Sequence, residues 1–299
     1  MIEVRKLSKS FGKIKALDKV SINVGKGSIY GLVGPNGAGK TTLIKHLAGV
    51  YRQDAGTVTV DGRPVYENPE VKALLVYIPD ELYFFSQYSV EETARFYAGL
   101  YPHWSWERYR LLKQVFSIDP GRRVTRLSRG MQKQVAFWLG ICAMPRVMLL
   151  DEPVDGLDPV MRKQVWSLLL QDVAERKTTV LVSSHNLREL EDVCDHVGIL
   201  HQGTILVERD LDELKTDIHK IQVAFAGTAP PDLLREETVL HREQNGSVLQ
   251  LIVKGDRERL LSELRRAEPV LLDILPLTLE EVFIYELGGI GYDVQRVLI

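Results

Sequence analysis

Eight consecutive residues, Gly34-Pro35-Asn36-Gly37-Ala38-Gly39-Lys40-Thr41, limit the possible folds more than any other part of this chain. They satisfy GxxxxGK[ST] at every fixed position, with the apolar run Ser28 to Val33 before them and the helical pattern Thr41 to Leu47 after them. The spacing predicts a strand, a glycine-rich turn and a helix in direct succession. Glycines allow backbone N–H groups to converge on phosphate oxygens, and the helix N-terminus adds positive potential. Lys40 is placed to reach β- and γ-phosphates and the Thr41 hydroxyl to bind Mg²⁺, with Thr42 beside them among the nucleotide-binding residues. A turn that merely happens to precede a helix is the bland alternative, and the flanking strand and helix weigh against it. The segment reads as a nucleotide site.

The rest of the first 215 residues fits such a site. Short, nearly continuous apolar runs recur at 29–33, 74–78, 147–150, 180–182 and 197–200, the pattern of strands buried on both faces of a largely parallel sheet. Met161, Val165, Leu168, Leu169 and Val173 form one helical stripe, opened by Asp158 as a capping carboxylate and Pro159 as the first helical residue. Residues 85–145 show helical patterning with little strand, and Ser89 to Glu92 forms a capping box for a helix ending near Leu100. The fold expected for 1–215 is therefore an α/β phosphate-loop domain carrying a helical insertion.

A small α+β appendage is expected over 216–299. Asn245-Gly246 separates two strand-like runs and signals a hairpin. A charged helix follows near 257–266, then a strand near 270–274. Thr278 to Glu281 is a second capping box, whose helix would turn Leu279, Val282, Phe283 and Leu287 to one side.

Two further motifs carry chemistry. Asp151-Glu152 ends the apolar run 147–150, and adjacent acids at the end of a buried strand are costly unless a cation or a proton transfer uses them. Asp151 would orient Mg²⁺ and Glu152 would polarise the attacking water. His185 ends another strand, where its imidazole can touch a γ-phosphate. His185, Cys194, His196 and His201 match no metal-ligand spacing, and no NKxD guanine reader occurs.

The order of these motifs resembles that of the nucleotide-binding subunits of ABC (ATP-binding cassette) transporters, over residues 1 to about 210. Leu127-Ser128-Arg129-Gly130-Met131-Gln132 resembles the family signature, Asp155-Gly156-Leu157-Asp158 its D-loop, Ser184-His185 its switch histidine, and Phe11 the aromatic residue that stacks on adenine. Within the family the chain looks most like the YtrB-like ATPases of Gram-positive bacteria. The resemblance implies ATP hydrolysis with Mg²⁺ by two cassettes paired head to tail, as a homodimer or a heterodimer. Each nucleotide would lie between the phosphate loop of one subunit and Ser128 and the Gly130 N–H of the other. It also implies a separate integral membrane permease, more in the manner of exporters, and a cytoplasmic position against the inner face of the membrane. A soluble ABC ATPase outside transport, or an ATP-gated regulatory module with little turnover, are the alternatives.

The chain departs from the family pattern at Arg129 and Met131, where glycine and glutamine are usual, and at Asp80, where glutamine is usual. Asp80 is either a tolerated polar replacement or keeps that residue's position beside Mg²⁺, its carboxylate approaching the ion directly or through water. Eleven of the 23 aromatic residues fall between Tyr77 and Tyr109, more than one small helical layer readily hides. Tyr83, Phe84 and Phe85 are therefore expected to meet the permease.

Composition excludes other classes. Lys plus Arg is 38 and Asp plus Glu 40, so bulk charge offers no support for binding nucleic acid. The N-terminus lacks the apolar core of a signal peptide, and no run is long enough to span a membrane. Two cysteines, Cys142 and Cys194, cannot make a disulfide framework and read as buried thiols in a reducing compartment.

Overall fold

The structure is a computed structural model that describes residues 1–211, 213, 218–227, 233–234 and 238–288, apart from the side chains of 279, 283 and 286–288. The chain divides into two compact units, 1–185 with 193–208, and 186–192 with 209–299. The boundary read from sequence, 215/216, falls inside the second of them.

The first unit opens with strands β1 (Ile2–Phe11) and β2 (Ile14–Val24), then β3 (Ile29–Val33) and helix α1 (Lys40–Leu47). Strands β4 (Ala55–Val60) and β5 (Arg63–Pro64), the short α2 (Pro69–Lys72) and β6 (Leu75–Ile78) follow. The helical insertion comprises α3 (Val90–Leu100), α4 (Trp106–Phe116) and α5 (Arg129–Cys142). Strand β7 (Val147–Asp151), helix α6 (Pro159–Arg176) and strands β8 (Thr179–Ser184), β9 (His196–His201) and β10 (Thr204–Asp210) complete the series. Six strands form one sheet in the order β10-β9-β3-β8-β7-β6, and the β9-β3-β8-β7-β6 pairings are all parallel. Every residue of β3, β7 and β8 is buried, as the uninterrupted apolar runs require.

A second sheet, β2-β1-β4-β5, is antiparallel and was not legible from the runs above. Its inward residues, such as Ile2, Leu17 and Val58, share one core with Leu43 and Ile44 of α1 and Leu149 of the parallel sheet. Helix α1 is thus packed between two sheets, which fixes the direction of its N-terminus.

In the insertion, the capping box at Ser89 and Glu92 forms with both reciprocal bonds present. The aromatic residues make a continuous series of edge, tilted and stacked contacts running from Tyr83 to Trp138. Trp138 of α5 is fully buried, stacked at 4.6 Å on Tyr109, and its indole N–H donates to the Tyr109 carbonyl at 3.0 Å. Not all of the series is core: Tyr83 is 85% exposed, Phe85 43% and Trp106 41%. Arg108 of α4 pairs with Asp172 of α6, which is 1% exposed and also accepts from Arg176 at 3.3 Å.

The second unit is built on β11 (Ile218–Ala224), β12 (Val239–Asn245), β13 (Val248–Lys254) and β14 (Leu271–Leu275), an antiparallel sheet in the order β12-β13-β11-β14. Helices α7 (Arg257–Arg265) and α8 (Leu279–Gly288) accompany it. Asn245 pairs with Val248, so the two turn residues are Gly246 and Ser247, one position later than the Asn-Gly reading. Gly246 has φ 65° and Ser247 is not among the residues of positive φ, the arrangement of a II′ turn. The Thr278–Glu281 capping box forms, and Val282 is buried; the side chains of Leu279, Phe283 and Leu287 lie outside the described residues.

Cys142 and Cys194 are both free, the first buried and the second half-buried. Burial pushes the Cys142 thiol up to about 12 and raises that of Cys194, so neither supplies a thiolate near neutral pH.

The Arg108–Asp172 pair is the checkable tie between α4 and α6. Asp172→Ala is expected to lower unfolding free energy by about 3 kcal/mol, because it leaves two guanidinium groups without their partner. A urea titration reads this directly, and an unchanged midpoint would show that the pair only breaks even.

Candidate nucleotide site

The C-terminal ends of β3, β7 and β8 meet at one cleft. The loop after β3 begins at Gly34, where a Cβ would come 2.1 Å from the Leu200 carbonyl oxygen, so no other residue fits without moving backbone. Gly39 caps α1 with φ 110°, and Gly37 has φ 81°. The first turn of α1 has neither a side-chain cap nor an acidic residue. Its N–H groups are left to an incoming anion, and nothing on the helix neutralises its positive end. The loop 202–203 is stitched to this turn: Gly203 N–H donates to the Ala38 carbonyl at 2.9 Å, and Asp18 N–H donates to the Gly203 carbonyl at 2.7 Å.

The cleft, about 470 Å³, is lined by Pro35, Asn36, Gly37, Gly39, Lys40, Thr41 and Thr42, together with Asp80 and Glu152. Ile14, Lys15 and Ala16 of β2 and the pair Gln202-Gly203 close its other side. These five were missed in the sequence, where they carry no motif. Phe11 is not in the wall. It faces Ile14 across the β1–β2 hairpin, 44% exposed, with Tyr51 edge-on at 5.4 Å and the Lys9 ammonium 5.6 Å from its ring centre. Ser128 and Gly130 also lie outside the lining of this cleft.

Two lysines and a histidine converge on Glu152. Lys40, 6% exposed, sits 3.2 Å from Glu152 Oε1 and also donates to the Gly34 carbonyl at 2.6 Å. His185 Nδ1 and its backbone N–H lie 3.0 and 3.3 Å from Glu152 Oε2. Lys133 Nζ donates to the Glu152 carbonyl at 2.7 Å. Glu152 itself has φ 45°, a left-handed conformation uncommon for a residue with a side chain and one that turns the chain sharply off β7. Glu152, Asp155 and His185 place ligand atoms within 4.8 Å of one another, the one such acidic and histidine group among the described residues.

Asp151 is 1% exposed, and its Oδ1 accepts from the Ser183 hydroxyl at 2.6 Å. Ser183 Oγ in turn accepts from the Glu152 N–H at 3.2 Å. One buried hydroxyl on β8 thus binds the last residue of β7 and the residue after it, a function for which Ser183 gave no signal beyond its place in the strand before His185. Tyr77 of β6 is raised well above the usual phenol range by burial and then by the Asp151 carboxylate, and stays neutral. The hydroxyl of Thr41, exposed in the cleft, and the carboxylate of Asp151 are hard oxygen donors of the kind Mg²⁺ takes.

A second cleft, about 550 Å³, is lined by Asp80, Glu81, Leu82, Arg129, Gln132, Lys133, Asp155 and Gly156. Here Ser128 caps α5 by accepting from the Met131 N–H at 3.3 Å. A Cβ on Gly130 would lie 2.8 Å from the Gly156 carbonyl oxygen, so glycine lets the start of α5 touch the loop after β7. Asp158 accepts from the Val160 and Met161 N–H groups and caps α6 as expected. Lys133 was missed in the sequence, though it shares the buried face of α5 with Ala136, Phe137 and Gly140, three, four and seven positions on.

No described helix is long and apolar enough to cross a membrane.

Ser183→Ala is expected to cost about 2 kcal/mol of stability, since it leaves a buried carboxylate and a backbone N–H short of a partner. Chemical denaturation measures the loss. A variant as stable as the parent would mean that another group satisfies Asp151.

The family model described as ABC transporter matches residues 17–155. The ABC transporter ATP-binding protein YtrB of Bacillus subtilis is 35% identical over 289 residues, covering 97% of this chain and 99% of that protein. The bacitracin transport ATP-binding protein BcrA of Bacillus licheniformis is 32% identical over 221 residues, 72% of this chain and 71% of that one. Among solved structures, an ATP-binding subunit of an ABC transporter superposes with a TM-score of 0.67 at 28% identity, over 72% of this chain and 92% of its own. This chain belongs to the ABC transporter family, among its ATP-binding proteins.

Proposed function

We propose that this ATPase works with Mg²⁺ in the cleft at the ends of β3, β7 and β8, as one of two cassettes that drive a separate membrane permease. The observation that supports it best is the convergence of Lys40 and His185 on Glu152 beside a helix N-terminus left open to phosphate. The loop 34–39, with Thr42, would hold the phosphates through backbone N–H groups, and Lys40 would exchange its contact with Glu152 for the β- and γ-phosphates. Thr41 and Asp151 would hold Mg²⁺, with Asp80 beside it; bound there, the ion would offset charge on the phosphoryl oxygens. Glu152 would accept the proton of the attacking water. His185, already on Glu152, would orient that carboxylate and meet the γ-phosphate. Phe11 would close over adenine by moving from its contact with Tyr51.

Ser128 and Gly130 would serve the nucleotide of a second cassette, identical or not, since they lie outside the chain's own phosphate-loop cleft. The start of α5 supports this: its first turn has no acidic residue and carries Arg129. Tyr83, Phe84 and Phe85 would receive the permease at the inner face of the cell membrane, and the exposure of Tyr83 and Phe85 supports that role. Export is the direction favoured, on the likeness of the compact cassette and the Leu127–Met131 signature to those of export systems.

Glu152→Gln is expected to keep ATP binding while turnover falls by at least about 100-fold, and Lys40→Ala to weaken binding itself. Equilibrium binding and steady-state hydrolysis separate the two, and a Glu152→Gln protein turning over at the parent rate would refute the assignment. Purified from its own cells in mild detergent, the tagged chain is expected to bring a stoichiometric multi-spanning protein, and Phe84→Ala with Phe85→Ala to lose it. Recovery of soluble partners alone would refute the permease reading.

A further inference from the structure

Lys133 is 6% exposed, and its ammonium has three acceptors. It donates to the Glu152 carbonyl at 2.7 Å and to the Asp155 carbonyl at 3.1 Å, and it lies 3.5 Å from Asp80 Oδ1. Among the described residues Asp80 is its one carboxylate partner. An ammonium removed from water this far needs a negative partner as well as carbonyl dipoles. The two ends of the pair differ: Asp80 is 57% exposed and the longest of the three contacts, whereas the carbonyl contacts are short. Asp80 is also the residue common to both clefts, standing in one beside Lys40, Thr41 and Glu152 and in the other beside Lys133, Arg129 and Gly156.

We infer that Lys133 is a positioning residue for hydrolysis, which pins the Glu152–Asp155 turn through two carbonyls and holds the Asp80 carboxylate by charge at the edge of the nucleotide cleft. The ammonium stays on its carbonyls while Asp80 swings, so Lys133 and a divalent cation in the cleft compete for one carboxylate. The hold sets both how readily Asp80 meets the cation and how firmly the backbone of Glu152 stands under its carboxylate. Only the competition for Asp80 rests on the proposed place of Mg²⁺ beside that residue. Pinning of the turn is a property of the protein alone.

The full-length chain provides the test through Lys133→Gln, Lys133→Arg, Asp80→Asn and the double variant Asp80→Asn/Lys133→Gln. Amide hydrogen exchange of peptides spanning 152–158, without nucleotide, is expected to speed up by about fivefold in Lys133→Gln and to stay at the parent rate in Asp80→Asn. In ATP hydrolysis, Lys133→Gln is expected to lower the Mg²⁺ concentration for half-maximal rate by about threefold or more while kcat falls, and in the Asp80→Asn background the same change is expected to leave Mg²⁺ dependence unmoved. Lys133→Arg keeps the charge and offers forked donors to the carbonyls, so parent-like Mg²⁺ dependence is expected there, and it serves as the readout where Lys133→Gln does not fold. Unchanged exchange over 152–158, or effects of the two single changes that simply multiply, would overturn the inference. Glu152→Gln in parallel separates this from failure of the site itself, which would show as parent-like turnover of that variant.

Discussion

A carboxylate buried at the end of a strand is the constraint on which the rest of this site depends. Asp151 has almost no access to water, so its charge must be met from within the fold. The neighbouring parallel strand meets it: β7 and β8 run in register with Asp151 opposite Ser183, and the Ser183 hydroxyl is within 2.6 Å of Oδ1. That register also decides where the next residues fall. Glu152 and His185 each follow the last residue of their strand, and their side chains meet at 3.0 Å. A slip of one residue between β7 and β8 would turn Ser183 to the other face and separate both pairs.

Basic side chains then gather around Glu152 from three separate parts of the chain. Lys40 comes from the start of α1, His185 from the end of β8 and Lys133 from within α5, and each is tied to backbone as well as to the acid or its neighbours. The glycines let these parts approach one another. Gly34 passes against the Leu200 carbonyl and Gly130 against that of Gly156, in each case at a distance no Cβ tolerates. Exchanging either for alanine would therefore act on the approach of whole segments and not on one contact.

Much of this was legible because it rests on short stretches of consecutive residues. The buried strands announced themselves as apolar runs, and Ser89, Asp158 and Thr278 capped helices where their spacing to later residues indicated. The antiparallel sheet was not legible, for a physical reason. Along β1 the inward residues are Ile2, Val4 and Leu7, so the alternation breaks where Lys6 takes φ 49° and the pairing shifts register; Lys19, with φ 51°, does the same to β2. Such bulges erase the period of two by which a half-buried strand is recognised. Ser183 and Lys133 were hidden differently. A serine in a strand and a lysine in a helix are ordinary until the partner across the fold is known, and those partners lie 32 and 19 residues away.

The second unit has its own core, in which Ile221, Val223, Leu251 and Leu260 are buried together, and on that ground it resembles an appended module. The path of the chain argues otherwise. Immediately after His185 it enters residues 186–192, which belong to the second unit, and it returns to the first at Val193. Arg188 in that excursion pairs with Glu280 of α8 at 3.2 Å. The histidine that rests on Glu152 is therefore joined by a single peptide bond to a segment whose partners lie more than ninety residues later in the sequence.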